Sequence, residues 1–192
     1  MLLGLTGGIG AGKSTALAAF AQLGCPTLSS DAVVHASYRD PSVRAAVAEH
    51  FGPGVVDDDG EIARPALAGR VFADPAERRW LEGLLHPRVA EELERWHIEQ
   101  AALHPGEVLV HEVPLLYEAD LADRYDAVVL VTAPAELRRA RRPADFDERA
   151  AAQLPEAEKI ARADHIYVND GTRAELEQWV SDLVQRLRGA PA

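Results

Sequence analysis

What the sequence lacks narrows its function first. Lysine is nearly absent: of 20 basic residues only Lys13 and Lys159 are lysines, and the rest are arginine. The 31 acidic residues leave a formal net charge of −11. Binding to nucleic acid or to an anionic membrane needs clustered positive charge, so neither is an expected partner. A single cysteine, Cys25, excludes an internal disulfide, and no Cys/His spacing suits structural zinc. No apolar run approaches the ~20 residues of a membrane-spanning helix. The first residues, Met1 to Gly8, carry no basic segment and are broken by glycine, so they are not read as a secretory leader. A cytoplasmic protein is expected, with a monomer as the favoured state.

What is present suits a globular enzyme. The chain has 192 residues, 47% apolar and 27% charged. A globule of that size buries roughly 70% of the surface its extended chain exposes, enough for a full core. Short apolar runs at 2–6, 27–30, 107–113, 126–132 and 165–168 read as strands. Helical spacing separates them, most clearly at 172–188, where Leu176, Val180, Leu183, Val184 and Leu187 share one face. Strands alternating with helices predict an α/β fold with a parallel five-stranded sheet flanked by helices. Residues 39–103 differ in character and read as a helical insertion into a nucleotide-binding core of 1–38 and 104–192. Within the insertion, Pro87 is expected to kink or divide the helix of 75–103. Residues 143–155 read as polar and irregular.

The sharpest motif is Gly7-Gly8-Ile9-Gly10-Ala11-Gly12-Lys13-Ser14, which fits G-x-x-x-x-G-K-[ST] between a strand and a helix. Glycines let successive N–H groups converge on phosphate oxygens, and the helix N-terminus adds partial positive charge. Gly8, Ile9, Gly10, Ala11 and Gly12 are therefore expected to cradle ATP phosphates. Lys13 is expected to reach the β- and γ-phosphates and to be catalytic. Ser14 is a candidate Mg²⁺ ligand, and Thr15 is placed for the α-phosphate. A compact ammonium suits this loop better than a planar guanidinium, which gives a reason for a lysine in an arginine-rich chain. The dinucleotide pattern G-x-G-x-x-G fails, since Lys13 and Thr15 stand where its last glycine would be. The guanine motif N-K-x-D is absent, which disfavours a nucleotide switch. A metabolite kinase remains, and the loop alone does not say which one.

Further segments carry a resemblance. LTGGIGAGKST at Leu5, SSDAVVH at Ser29, RPALAGRVF at Arg64, LLHPRV at Leu84, HEVPLLYE at His111 and the Q-L-P-x-x-E-K run at Gln153 occur in the order of the dephospho-CoA kinase family, which the chain resembles over nearly its whole length. The resemblance implies a P-loop core, a helical substrate domain and a mobile lid. It also implies transfer of the ATP γ-phosphate to the ribose 3′-hydroxyl of dephospho-CoA, the last step of coenzyme A synthesis. Another nucleotide or small-metabolite kinase with the same core is the alternative.

The resemblance also implies residue roles. Asp31 holds the second, catalytic position of a family D-x-D segment whose first position is Ser29 here. From position alone, Asp31 is equally a helix cap. Glu112, ending an apolar strand, is a candidate to contact Mg²⁺. The zinc pattern H-E-x-x-H fails there, because residue 115 is Leu. Leu115 lies in a segment near the substrate. His86 and Arg88 match the acceptor region, although a capping or packing role fits them too. Arg64 suits a substrate phosphate, or is simply an exposed helix start. The basic run Leu137 to Arg142 resembles the arm of a short lid over about 138–155, with Arg139 as the first choice of catalytic arginine and Arg142 as the second. Asn169 matches a position near adenine, although a turn-forming Asn before glycine is the alternative.

Overall fold

The apolar runs form five strands: β1 (Leu2–Thr6), β2 (Thr27–Ser29), β3 (Leu109–Glu112), β4 (Ala127–Thr132) and β5 (His165–Val168). The computed structural model describes residues 1–142, 146–151 and 153–189, without the side chains of residues 72, 148 and 149. All strand pairings are parallel, in the order β2-β3-β1-β4-β5. β1 and β4 are buried at every residue, which is why both read as unbroken apolar runs rather than alternating ones. β5 alternates between partly buried and exposed residues, as an edge strand does.

The helices are α1 (Lys13–Gln22), α2 (Ser30–Ser37), α3 (Pro41–Phe51), α4 (Arg64–Ala73), α5 (Pro75–Leu103), α6 (Ala135–Arg141), α7 (Phe146–Ala151), α8 (Glu156–Arg162) and α9 (Arg173–Gly189). Two compact units result, one of Met1–Ser29 with His97–Ala192 and one of Ser30–Trp96. In the first, Phe20 of α1 and Leu176, Val180, Leu183 and Val184 of α9 form one buried cluster with Leu3, Leu5, Val110, Val129 and Val131 of the sheet. Each such side chain contributes roughly 1.5–3 kcal/mol on burial. The order of strands puts β1 between β3 and β4, so the chain leaves in opposite directions on its two sides. Ligands of open α/β sheets sit beyond the strand ends at such a reversal.

The second unit closes around Val43, Val47, Val55, Ile62, Leu67, Leu81 and Leu85. Its limits differ from the 39–103 read in the sequence. Val34 and Tyr38 pack against its core, so α2 belongs with it. The local structure bears on two further expectations. Of the two outcomes expected at Pro87, a kink or a division, division does not occur: α5 is continuous over Pro75–Leu103. The Arg88 side chain donates to the Leu84 carbonyl at 2.9 Å, adding a bond in the turn that proline weakens. The supposedly irregular 143–155 contains α7, whose buried Phe146 is a single apolar anchor too isolated to give a period.

Candidate phosphate-transfer site

The phosphate loop begins where β1 ends and finishes at the first turn of α1. Gly12, at φ 105, is the N-cap of that helix, and Gly10 lies at φ 74, both in the left-handed region that favours glycine. A Cβ at Gly7 would lie 2.0 Å from the Val131 carbonyl oxygen, so the loop can lie this close to β4 only without a side chain. The Lys13 ammonium folds back and donates to the carbonyls of Gly7 at 3.0 Å and Gly8 at 3.3 Å. Ser14 is exposed and Thr15 partly buried at the start of α1.

The loop is supported from below by Asn169. Its side-chain amide donates to the Ala11 carbonyl at 2.7 Å, and its backbone N–H donates to Thr132 at the end of β4. Asn169 is buried, so its amide braces the loop at the point where a base contact was expected. Beside it lies a cleft of about 250 Å³ lined by Gly12, Thr15, Arg141, Asn169, Arg173 and Leu176.

Two arginines of α6 meet the loop. Arg141 donates to the carbonyls of Gly10 at 3.3 Å and Asn169 at 3.1 Å. Arg138 donates to Ala133 at 2.9 Å and pairs with Glu156 at 2.9 Å. A Cβ at Gly8 would meet the Arg138 guanidinium, so this pair lies directly against the loop. Glu156 also accepts a hydrogen bond from Thr132. Arg139, the arginine favoured from sequence, is instead engaged elsewhere. It pairs with Asp147 of α7 at 2.5 and 2.6 Å and lies over the Phe146 ring. The charge-assisted bond from Arg139 holds the Asp147 carboxyl below its ordinary range. Arg142 is exposed beyond the end of α6. Part of the expected lid, residues 143–145 and 152, lies outside the described residues.

Next to β1, Glu112 ends β3 in register with Leu5. Its carboxylate is buried and accepts from the Ser29 hydroxyl at 3.0 Å. The Ser29 position therefore holds a neutral donor that orients Glu112, where a second carboxylate would have repelled it. An exposed hydroxyl at Ser14, in the first turn of α1, and a buried carboxylate at Glu112, at the end of the strand beside β1, are oxygen types that fit a Mg²⁺ ion, which takes few protein oxygens and completes its shell with phosphate and water. Preceding Glu112, His111 is buried and hydrogen-bonded to the Tyr125 hydroxyl at 2.7 Å. Burial lowers its pKa to about 4, so it is neutral at physiological pH. Leu115 is 44% exposed after β3, unusual for a leucine beside so apolar a core.

The remaining predicted residues belong to the helical unit. Asp31 is exposed in the first turn of α2, and Arg64 is exposed at the start of α4. His86 is exposed on α5, while Arg88 is partly buried and reaches Ser42 at 3.3 Å. Sequence reasoning marked the basic run 137–142 but preferred Arg139 and Arg142 within it, and it did not single out Gln153, Glu156 or Arg173 as neighbours of the loop or its cleft. Gln153 and Glu156 had a signal, because both lie in a segment that carries the family resemblance.

A sequence model of the dephospho-CoA kinase family matches residues 1–175. A dephospho-CoA kinase of Anaeromyxobacter dehalogenans is 40% identical over 98% of this chain and 92% of its own. A crystal structure from Thermus thermophilus is 34% identical, with a TM-score of 0.79 over 97% of both chains. The structure of a dephospho-CoA kinase from Campylobacter jejuni, at 22% identity, shares the fold with a TM-score of 0.74, covering 97% of this chain and 96% of that one.

Proposed function

The chain belongs to the dephospho-CoA kinase family, and from that premise we propose which of its residues carry out the transfer. It is an ATP-dependent kinase that moves the γ-phosphate to the ribose 3′-hydroxyl of dephospho-CoA, giving CoA and ADP. The observation that carries the assignment of roles is the loop geometry. Lys13 already lies over Gly7 and Gly8, with its ammonium donating to loop carbonyls beside the position where phosphate oxygens would sit. N–H groups from Gly8 to Gly12, with those of Ser14 and Thr15, receive the phosphates at the positive end of α1.

Ser14 and Glu112 would hold Mg²⁺, which when bound would supply positive charge at the phosphates. Ser29 keeps the Glu112 carboxylate turned toward that position. Asp31 orients the attacking hydroxyl and takes its proton, the role that its place in the family segment and its exposed carboxylate support. Arg138, already in contact with the loop beside Gly8, is better placed than Arg139 or Arg142 to neutralise charge on the transferring group. Arg139 fits instead as a strut between α6 and α7. The cleft beside Asn169 suits the nucleoside of ATP, with Arg141 and Arg173 available to stack on a base. Arg64, His86 and the apolar Leu115 are proposed contacts for dephospho-CoA, with Arg88 holding the helical unit together. Residues 39–103 are proposed as the acceptor-binding insertion and about 138–155 as a lid. A cytoplasmic enzyme accords with its buried, free thiol at Cys25.

The test follows Mg·ATP-dependent ADP release with dephospho-CoA, with a panel of nucleoside monophosphates, and with no acceptor. Release confined to dephospho-CoA is expected. Activity only on a monophosphate, or acceptor-independent hydrolysis, would overturn the reading. Asp31→Asn is expected to cut turnover sharply with ATP binding kept, and near-normal turnover removes Asp31 from the chemistry.

A further inference from the structure

Gln153 has no part in the roles assigned above, yet it touches the phosphate loop. The Ile9 N–H donates to its side-chain oxygen at 3.3 Å, across 144 residues of sequence. An N–H requires an acceptor, so the amide must turn its oxygen to Ile9. The NH₂ group is then left facing away from that bond, with two donors to offer. The end of the loop that Gln153 caps is also identifiable. Lys13 serves the β- and γ-phosphates and rests on Gly7 and Gly8, whereas Gly12 and Thr15 face the nucleoside cleft. Ile9 adjoins the lysine end, where the terminal phosphate sits.

The mount of Gln153 is unusually firm. The next residue, Leu154, donates its N–H to Glu118 at 2.8 Å. The same Glu118 oxygen lies 2.7 Å from the Lys159 ammonium, and Lys159 is 1% exposed. The second lysine of the chain is therefore spent on a buried ion pair that fixes the segment before α8. Burying such a pair is costly, and it gives little net stability over apolar packing. It does fix geometry: α8 also carries Glu156, the partner of Arg138 against Gly8.

We propose that Gln153 is a further catalytic residue, which accepts from Ile9 and donates through its NH₂ to the γ-phosphoryl group, and that Lys159 and Glu118 are positioning residues that hold it there. The proposal rests on the kinase reading and adds a donor to it. No bond is made or broken by Gln153. It stabilises charge on the equatorial oxygens as the phosphoryl passes to the acceptor.

The experiment compares wild-type enzyme with Gln153→Ala and Gln153→Glu, measuring kcat, KM and the binding of ADP and of a non-hydrolysable ATP analogue by calorimetry. Gln153→Ala is expected to lower kcat roughly 10- to 100-fold. The analogue should bind several-fold more weakly, with ADP affinity and melting temperature nearly unchanged. Gln153→Glu keeps an acceptor for Ile9 but sets a negative charge against the phosphate, so it should be the worse variant. A wild-type kcat in both variants overturns the proposal. So does an equal loss of ADP and analogue affinity, which would make Gln153 a prop for the loop. A wild-type enzyme without dephospho-CoA-dependent turnover defeats the kinase reading instead, and the comparison of the two nucleotides still decides the role of Gln153.

Discussion

The two compact units bury different kinds of side chain. Among the described residues, the buried polar groups Thr6, His111, Glu112, Thr132, Lys159 and Asn169 all belong to the sheet unit. The core of the helical unit is Val43, Val47, Val55, Ile62, Leu67, Leu81 and Leu85, without a polar member. Burying a polar group costs stability unless a partner meets it, so it persists where a fixed direction is needed. Asn169 points at Ala11, Glu112 at Ser29 and Lys159 at Glu118. In the helical unit, Asp31, Arg64 and His86 lie at the surface. The contrast teaches that the sheet unit sets geometry with buried internal bonds, while the helical unit packs an apolar core and leaves Asp31, Arg64 and His86 at its surface.

The hardest strike on that contrast is at the loop. Lys13→Ala is expected to reduce kcat roughly a thousandfold in the ADP-release assay. Lys159→Met is expected to cost about 3–5 kcal/mol in urea unfolding, since it strands the Glu118 carboxylate away from water. Adding Glu118→Gln, which removes the stranded charge but keeps an acceptor for the Leu154 N–H, should recover most of that loss. Failure to recover would mean that the pair was not the source.

The neutral burial of His111 predicts a pH dependence. Its folded pKa is about 4 against an ordinary 6.5. Between those values the unfolded chain takes up a proton that the folded one refuses. Stability therefore falls as pH drops from 6.5 toward 4, by about 3 kcal/mol in all, and is flat above that window. His111→Gln should flatten this part of the pH profile in urea unfolding. Val47→Ala, in the apolar helical core, is expected to cost the least, about 2 kcal/mol. It should do so without pH dependence, and at low temperature kcat should stay near wild type. A pH-dependent loss there would dissolve the distinction between the units.

The parts legible in the sequence were those coded locally. The phosphate loop is one continuous segment, its glycines and lysine fixed by spacing, and β1 and β4 are buried on both faces and so read as apolar runs. The arginines were different. Leu137-Arg138-Arg139-Ala140-Arg141-Arg142 contains two pairs at the same helical spacing, 138 with 141 and 139 with 142. Periodicity cannot choose between them. The choice depends on Asp147 of α7, which draws Arg139 away, and on Glu156 of α8, which holds Arg138 to the loop. Gln153 was equally out of reach, because its partner Ile9 is distant in sequence.

By itself the sequence determined a parallel α/β core, a phosphate loop and the family of reaction, because each depends on short-range spacing or on segments kept in order. Only the tertiary structure decided which arginines face the loop, why Ser29 suits Glu112, and what the second lysine holds. Those are matters of rotation and distance between elements far apart in the chain, and packing alone sets them.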